Sequence, residues 1–540
     1  VDLPPTRWSQ NDRAALEGFK DISNTHNDST RLDFNLYLKE VFDLYLTPLM
    51  QEEVDVDGWV SGNNHGAAYA TRLLSTVTPV LKHKDMQANA FVKDESYPVD
   101  GVVNPTIKHI RTINAYTDPT KAMYGPFFRK IEKAFFTSKL SRFFVKMIPV
   151  AERPGHLQRL FGCRQVTLAD FSSFESHMRR EFADGICHGI LRIGGDFLPP
   201  AIQRCVREHM LGTNLSVFKS TGVRVQVDQT LMSGAVWTSL GNCMLSFGLV
   251  TYLRLRAKYP LMSAKELAGH VFEVDAVFEG DDSLSAGGAY DDQLVTQLGL
   301  ILKSKVLEDF GKGDFCGISK PLNRDVLFTD AVKVVCNLFV LPKAYMNSRS
   351  TKQAGLLRAK ALSLYWLYNR CPIVSHLCFA VLRRTRSIRP DGRTLTYHQN
   401  ECLAQSSGKY YLVPPATLDD VTRQQYADAY GISPPEQIAL EEALRRWGEG
   451  DGSLIKLPAA FDPYVAWGYS HVAADPNLPY PPLARDRVHD MSQLIGAGPV
   501  YLRPFLREGR LVSAKIAVKR PLKNAAFDML PFQKYLSRAE

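Results

Sequence analysis

Asp281 and Asp282 follow Gly280 within the run Phe278-Glu279-Gly280-Asp281-Asp282-Ser283-Leu284. The flanking residues are apolar or β-prone. The run is therefore expected to form a strand–turn–strand hairpin with carboxylates at its tip, where glycine tolerates unusual dihedrals. Two adjacent carboxylates repel unless a divalent cation neutralises them. Taken alone the triplet is weak. Gly-Asp-Asp arises by chance about 0.1 times in a chain of this length, and an acidic hairpin turn explains it equally well. Upstream, Val166-Thr167-Leu168-Ala169-Asp170 is a short apolar run ending in an acid, followed by Phe171-Ser172-Ser173-Phe174-Glu175. A strand that delivers Asp170 at its C-terminal end can face the Asp281 hairpin. Three carboxylates from neighbouring strands suit two Mg2+ ions, which stand roughly 3.5–4 Å apart in such sites. Glu175 lies past the strand end, within reach of a sugar hydroxyl. By itself Asp170 reads equally well as a helix N-cap.

Between the two acidic segments lies Met232-Ser233-Gly234-Ala235-Val236-Trp237-Thr238-Ser239-Leu240-Gly241-Asn242. Ser233-Gly234 reads as a flexible loop. Thr238 and Asn242 are spaced i, i+4, so they share one face of the helix that follows. That spacing offers a hydroxyl and an amide to a polar ligand such as a ribose. A capped helix with interior polar residues is the plainer alternative.

The order of these segments is more specific than any one of them. Asp170 with Glu175, then Ser233, Gly234, Thr238 and Asn242, then Gly280, Asp281 and Asp282, resembles the right-hand-shaped RNA-dependent RNA polymerases of positive-strand RNA viruses. The three groups match palm motifs A, B and C, with wording nearest to tombus-like and noda-like replicases. The resemblance covers about residues 85–330 and extends beyond the palm motifs. Phe91-Val92-Lys93-Asp94-Glu95 and Lys108-His109-Ile110-Arg111 look like the fingers motif F, which implies that Lys93, Lys108 and Arg111 grip the triphosphate. Lysine supplies a point charge and arginine a planar fork for phosphate oxygens. Tyr124-Gly125-Pro126-Phe127-Phe128 resembles the segment that follows motif F. Leu298-Gly299-Leu300-Ile301-Leu302-Lys303-Ser304-Lys305 is similar to motif D, whose lysine protonates pyrophosphate; Lys303 is preferred over Lys305. Phe315-Cys316-Gly317-Ile318-Ser319-Lys320 looks like motif E.

The resemblance implies an RNA-directed RNA polymerase that transfers nucleoside monophosphate from NTP to an RNA 3′-OH. Two Mg2+ ions, with Mn2+ as a substitute, are expected on Asp170, Asp281 and Asp282. Lys303 completes the catalytic set, and Glu175, Ser233, Gly234, Thr238 and Asn242 contact the nucleotide. The implied partners are an RNA template, the nascent RNA strand, ribonucleoside triphosphates and other viral replication proteins. The implied location is the host cytoplasm, at membrane-associated replication complexes reached through parts or partners outside this chain. One departure stands out. The second acid of motif A is most often aspartate, and Glu175 adds a methylene, which moves the carboxylate by ~1.5 Å. Two rival readings are a reverse transcriptase and an inactive RNA-binding or assembly subunit. The first typically lacks the Ser-Gly-Thr-Asn helix, and the second needs no metal.

The elements that must position these residues are expected to form an α+β fold. The resemblance implies a right-hand polymerase with fingers, a palm (an antiparallel sheet packed on helices) and a helical thumb. The expected domains are 1–165 (fingers with motif F), 166–330 (palm, with a fingers insertion about 188–228) and 331–540 (thumb and C-terminal extension). Residues 1–165 read as short amphipathic helices among polar loops. Gln165–Leu168 and Ala276–Phe278 read as strands; Ser239–Leu255, Asp291–Leu302, Gly355–Tyr368 and Pro435–Trp447 read as helices, the last closed by Gly448. At 540 residues the chain exceeds a single core of roughly 250–300 residues. Its net charge of +9 is mild and only tilts toward a polyanionic partner. The basic tail from Arg503 to Lys523 contrasts with the acidic stretch Glu52–Asp57. Nine cysteines, none in a CxxC pair, fit free thiols in a reducing compartment. No run reaches the ~18 apolar residues of a membrane span, and the N-terminus does not read as a signal peptide. Val1 as first residue, with the first methionine at Met50, is expected of a cleavage product or a portion of a longer protein. Virus family, host and mode of initiation are left open by the residues.

Overall fold

The structure, a computed structural model, describes residues 28–61, 67–77, 87–92, 96–98, 112–149, 152–171, 174–218, 223–228, 232–308, 314–316, 318–319, 326–339, 345, 348–395, 397–406, 413–451, 455, 457–458, 460–461, 467–469, 500–507 and 510–517. The chain is mixed α and β, compatible with the expected α+β class, and divides into two compact units. The first takes residues 1–93 and 109–310, the second 94–108 and 311–540.

The first unit is built on long helices. Helix α1 (Asp28–Tyr45) buries Phe34, Tyr37, Leu38, Val41 and Phe42, an i, i+3, i+4, i+7 stripe. This 18-residue helix, like the 19-residue helix α2 (Asp118–Phe136), is longer than the short helices expected for this part. Helix α3 (Arg180–Gly194) meets α1 through Gly185 and Gly189. A Cβ at Gly189 would stand 2.6 Å from the Phe42 ring, and one at Gly185 2.8 Å from Leu38. Glycine there lets α1 and α3 approach closely. Helix α4 (Thr238–Lys258) is buried on nearly every side from Leu240 to Leu253. A helix that is apolar all round belongs inside a core, and its polar residues are accordingly bonded. Tyr37 donates to Thr251 Oγ1 at 2.8 Å, and Thr251 donates to Phe247 O at 2.7 Å.

Two four-stranded sheets complete this unit. One comprises β1 (Ala88–Val92), β2 (Thr112–Tyr116), β4 (Thr213–Phe218) and β5 (Val223–Asp228), in the order β2-β1-β4-β5. The β1–β4 pair is parallel and the others are antiparallel. The other sheet comprises β3 (Val166–Phe171), β6 (Ala276–Glu279), β7 (Asp282–Ala286) and β8 (Leu302–Leu307), all antiparallel, in the order β6-β7-β3-β8. Its two faces differ. Ala169, Phe171, Ala276 and Phe278 lie on one face and join the core that contains α1 and α4. Strand residues alternate in direction, so Asp170, Asp282, Lys303 and Lys305 lie on the opposite face, and all four are exposed.

The helix read as Asp291–Leu302 spans only Asp292–Gln297, and Leu302 already begins β8. Gly299, at φ 72, ends the helix in a left-handed residue. A short apolar run such as Leu298–Leu302 does not by itself distinguish helix from strand.

In the second unit, helices α5 (Ala331–Leu338), α6 (Ser350–Tyr368), α7 (Val374–Arg384), α8 (Asp420–Tyr430) and α9 (Pro434–Glu449) share a core. Leu377, Val381, Tyr426, Leu440, Leu444 and Trp447 fill it. Helix α9 opens with a Ser433–Glu436 capping box and closes at Gly450, φ 117, not at Gly448. Gly448 lies inside the helix, where a Cβ would meet the Ala380 Cα at 3.0 Å; it serves the α7–α9 contact.

Candidate active site

Backbone pairing brings the acidic residues to one end of the β6-β7-β3-β8 sheet. Ala169 pairs with Ser283 across β3 and β7, and one further step of that register brings Asp170 level with Asp282. Asp170 pairs with Lys303 on its other side. Directly opposed residues point to the same face, with Cβ atoms about 4.5–5.5 Å apart. Lys303 therefore stands beside Asp170, whereas Lys305 lies one pleat further away, opposite Leu168.

Asp281 occupies the turn between β6 and β7. Glu279 pairs with Asp282, which leaves Gly280 and Asp281 as a two-residue loop. Gly280 has φ 67, while Asp281 is absent from the positive-φ residues. That sign pattern is the one of a type II′ hairpin turn, whose first central position calls for glycine. Helix α4 holds the turn from beneath. The Gly280 N–H donates to Cys243 Sγ at 3.1 Å, and Ser246 Oγ donates to Asp281 O at 3.4 Å. Burial pushes the Cys243 thiol up to about 12, so this sulfur stays a neutral acceptor near neutral pH. Among the described residues, the carboxylates of Asp170 and Asp281 make no hydrogen bond or ion pair.

Asn242, on α4, lies beside the 3-10 turn Phe174–His177. Its Nδ2 donates to Glu175 Oε1 at 3.5 Å, and its buried Oδ1 has no partner among the described residues. Thr238, by contrast, spends its hydroxyl hydrogen on the loop before the helix, with Met232 O at 2.6 Å and Ala235 O at 3.0 Å. Only its oxygen lone pair can still face a ligand. Ser233 O accepts from the Asn114 N–H at 2.6 Å, which fastens that loop to β2. Gly234, at φ 100, passes so close to Ile113 and Asn114 that a Cβ would lie 2.7 Å from Ile113 Cγ2. Lys93, Lys108 and Arg111 lie outside the described residues.

Three residues escaped the sequence reading. Arg153 bonds Glu279 at 2.8 Å, Cys243 receives the turn amide, and Lys146 bonds both Glu132 and Ser239. Proximity to motif residues (Cys243 follows Asn242, and Glu279 precedes Gly280) was the only available signal.

Asp170, Asp281 and Asp282 form a hard, all-oxygen donor set, which suits Mg2+ or Mn2+ better than a soft-ligand metal. The set fits the expected ions in donor type. No group of three or more His, Cys, Asp or Glu side chains among the described residues is already close enough to hold an ion. No family model matches the chain, and no curated protein matches it. No helix among the described residues is long and apolar enough to cross a membrane.

Proposed function

We propose that this protein is a template-directed nucleotidyl transferase that works through divalent cations. More particularly, we read it as an RNA-directed RNA polymerase of right-hand architecture from a positive-strand RNA virus. The observation that carries the reading is the register of one sheet. It sets Asp170, Asp282 and Lys303 side by side on an exposed face, next to the turn that bears Asp281.

In this reading Asp170, Asp281 and Asp282 hold two Mg2+ ions, for which Mn2+ can substitute. When bound, the ions activate the RNA 3′-hydroxyl and neutralise charge on the triphosphate. The bond formed joins the 3′-oxygen to the α-phosphorus, the bond broken is that between the α-phosphorus and the leaving pyrophosphate oxygen, and the 3′-hydroxyl proton passes to solvent water. Lys303, beside Asp170, donates a proton to the leaving pyrophosphate as general acid. The Asn242–Glu175 pair presents a carboxylate and an amide to the ribose. Asn242 Oδ1, buried and unpaired among the described residues, is a ready acceptor for a sugar hydroxyl. Lys93, Lys108 and Arg111 are assigned to the triphosphate on the sequence resemblance alone. Template pairing selects the base, so the protein contacts backbone shape, and binding weakens as salt rises. RNA template, nascent strand and NTPs are the partners, with other replication proteins at cytoplasmic membranes as the setting.

Primer extension on an RNA template, with Mg2+ and four ribonucleotides, tests the reading against an Asp281→Asn control. Extension that requires both the metal and Asp281 is expected. A folded protein that binds RNA equally well with and without metal, and never extends it, would favour the binding-subunit alternative.

A further inference from the structure

We infer that Arg153 is a positioning residue that keeps a fourth carboxylate, Glu279, out of the metal site. The inference rests on the polymerase reading above and names a determinant of its metal dependence.

Glu279 is the last residue of β6 and pairs directly with Asp282 across the hairpin. The two side chains share a face, with Cβ atoms about 4.5–5.5 Å apart. A glutamate at that distance can swing its carboxylate toward the ions that Asp282 serves. The turn therefore carries one more acid than the three-carboxylate site uses. Arg153 accounts for the extra one. Its Nη1 donates to Glu279 Oε2 at 2.8 Å, and its side chain is only 5% exposed, against 27% for Glu279. Arg153 cannot follow the carboxylate outward, because its Nε is tied to Ile148 O at 3.1 Å. The helix that bears it, Arg153–Phe161, is also anchored to β6 at the other end of the strand. There Arg159 donates to Ala276 O at 2.7 Å. The guanidinium is thus a fixed post, and Glu279 is drawn back to it.

Releasing Glu279 would add a unit of negative charge near the ions. At about 6 Å from a divalent cation, at the dielectric of water, that charge is worth roughly a tenfold change in affinity. Mg2+ dehydrates reluctantly and works with few protein ligands. A fourth carboxylate would therefore favour tight, slowly exchanging binding over turnover.

The test is Mn2+ binding to the RNA-free protein by electron paramagnetic resonance, with primer extension measured across Mg2+ concentrations. Arg153→Met is expected to bind Mn2+ about tenfold more tightly and to be inhibited at lower Mg2+ than wild type. Adding Glu279→Gln to that variant is expected to restore both properties. Wild-type Mn2+ affinity in a folded Arg153→Met, with only a lower Tm, would show the ion pair to be purely structural and overturn the inference. Should Arg153→Met not fold, Arg153→Lys decides, since lysine keeps the charge but loses the Nε bond to Ile148 O: tighter Mn2+ binding supports a withheld carboxylate, and wild-type affinity overturns it. Asp281→Asn separates the two readings. If it loses Mn2+ binding and extension while Arg153→Met behaves as wild type, the polymerase reading survives and this inference falls. If neither Asp281→Asn nor Asp170→Asn alters Mn2+ binding, the metal site itself is refuted, and the inference falls with it.

Discussion

Glu441 in the second unit and Asp170 and Asp281 in the first are acids treated in opposite ways. Glu441 is 5% exposed and saturated. Arg423 meets both of its oxygens, at 3.1 and 2.8 Å, and the Ile373 N–H donates to it at 2.9 Å. Those bonds help hold Ile373, a β-branched residue at φ 62, in an unfavourable backbone region. Asp170 and Asp281 have no such partners among the described residues and sit at the edge of solvent. A buried carboxylate must be compensated inside the fold. A carboxylate meant for a ligand keeps its lone pairs available. Glu279 stands between these cases, near the acidic turn but committed to Arg153.

Several variants can break that contrast. The largest effect is expected from Asp281→Asn, which should lower extension on the order of 1000-fold, about 4 kcal/mol of barrier. Its unfolding free energy should stay within about 0.5 kcal/mol of wild type. A large stability loss in chemical denaturation would mean that Asp281 is structural after all. Glu441→Ala should do the reverse. It strands Arg423 and the Ile373 N–H and should cost about 3–5 kcal/mol of stability, while Mn2+ binding stays unchanged. Gly280→Ala sharpens the point about the turn. Among the described residues a Cβ there meets nothing within 4 Å, so the cost comes from the positive φ, about 1–3 kcal/mol. Extension should fall with little change in RNA binding.

Glu175→Ala should erode discrimination between ribo- and deoxynucleotides by about fivefold, the worth of one ordinary hydrogen bond. Equal discrimination in competition assays would remove Glu175 from sugar recognition. The smallest effect concerns His376, beside Glu441, with Arg423 and Glu442 also facing it. Burial holds its pKa below the ordinary 6.5 despite the neighbouring carboxylate. The fold therefore favours the neutral ring. Its contribution is complete above 6.5 and is lost as pH falls through the lowered value. Denaturation between about pH 7.5 and 5.5 should show a decline that His376→Gln flattens.

Much of the site was legible in the order of residue types. Val166–Asp170 and Ala276–Phe278 form strands close to where their apolar runs suggested. Helix α4 covers the stretch Ser239–Leu255 read as helical and extends it at both ends, to Thr238–Lys258. The apolar run Leu298–Leu302 reads as a continuation of the helix, but the left-handed Gly299 ends the helix after Gln297, and only Leu302 belongs to the mostly exposed strand β8. Gly448 reads in the sequence as a helix stop, although it serves close packing against Ala380. The use of Thr238 by its own loop had no sequence signature, since a hydroxyl can bond backbone or ligand equally well.

By itself, the sequence determined which groups are available: carboxylates at two strand ends, an amide one helical turn from a threonine, and a glycine where a two-residue turn needs positive φ. These are local properties, set by side-chain chemistry and by backbone sterics over a few residues. Only the tertiary structure decided which groups are neighbours and which are spent. The pairing of Asp170 with Lys303 and the withdrawal of Glu279 by Arg153 join segments far apart in the chain. So does the support of Gly280 by Cys243. A carboxylate's role follows from its surroundings, and those surroundings exist only once strand register and helix packing have brought distant residues together.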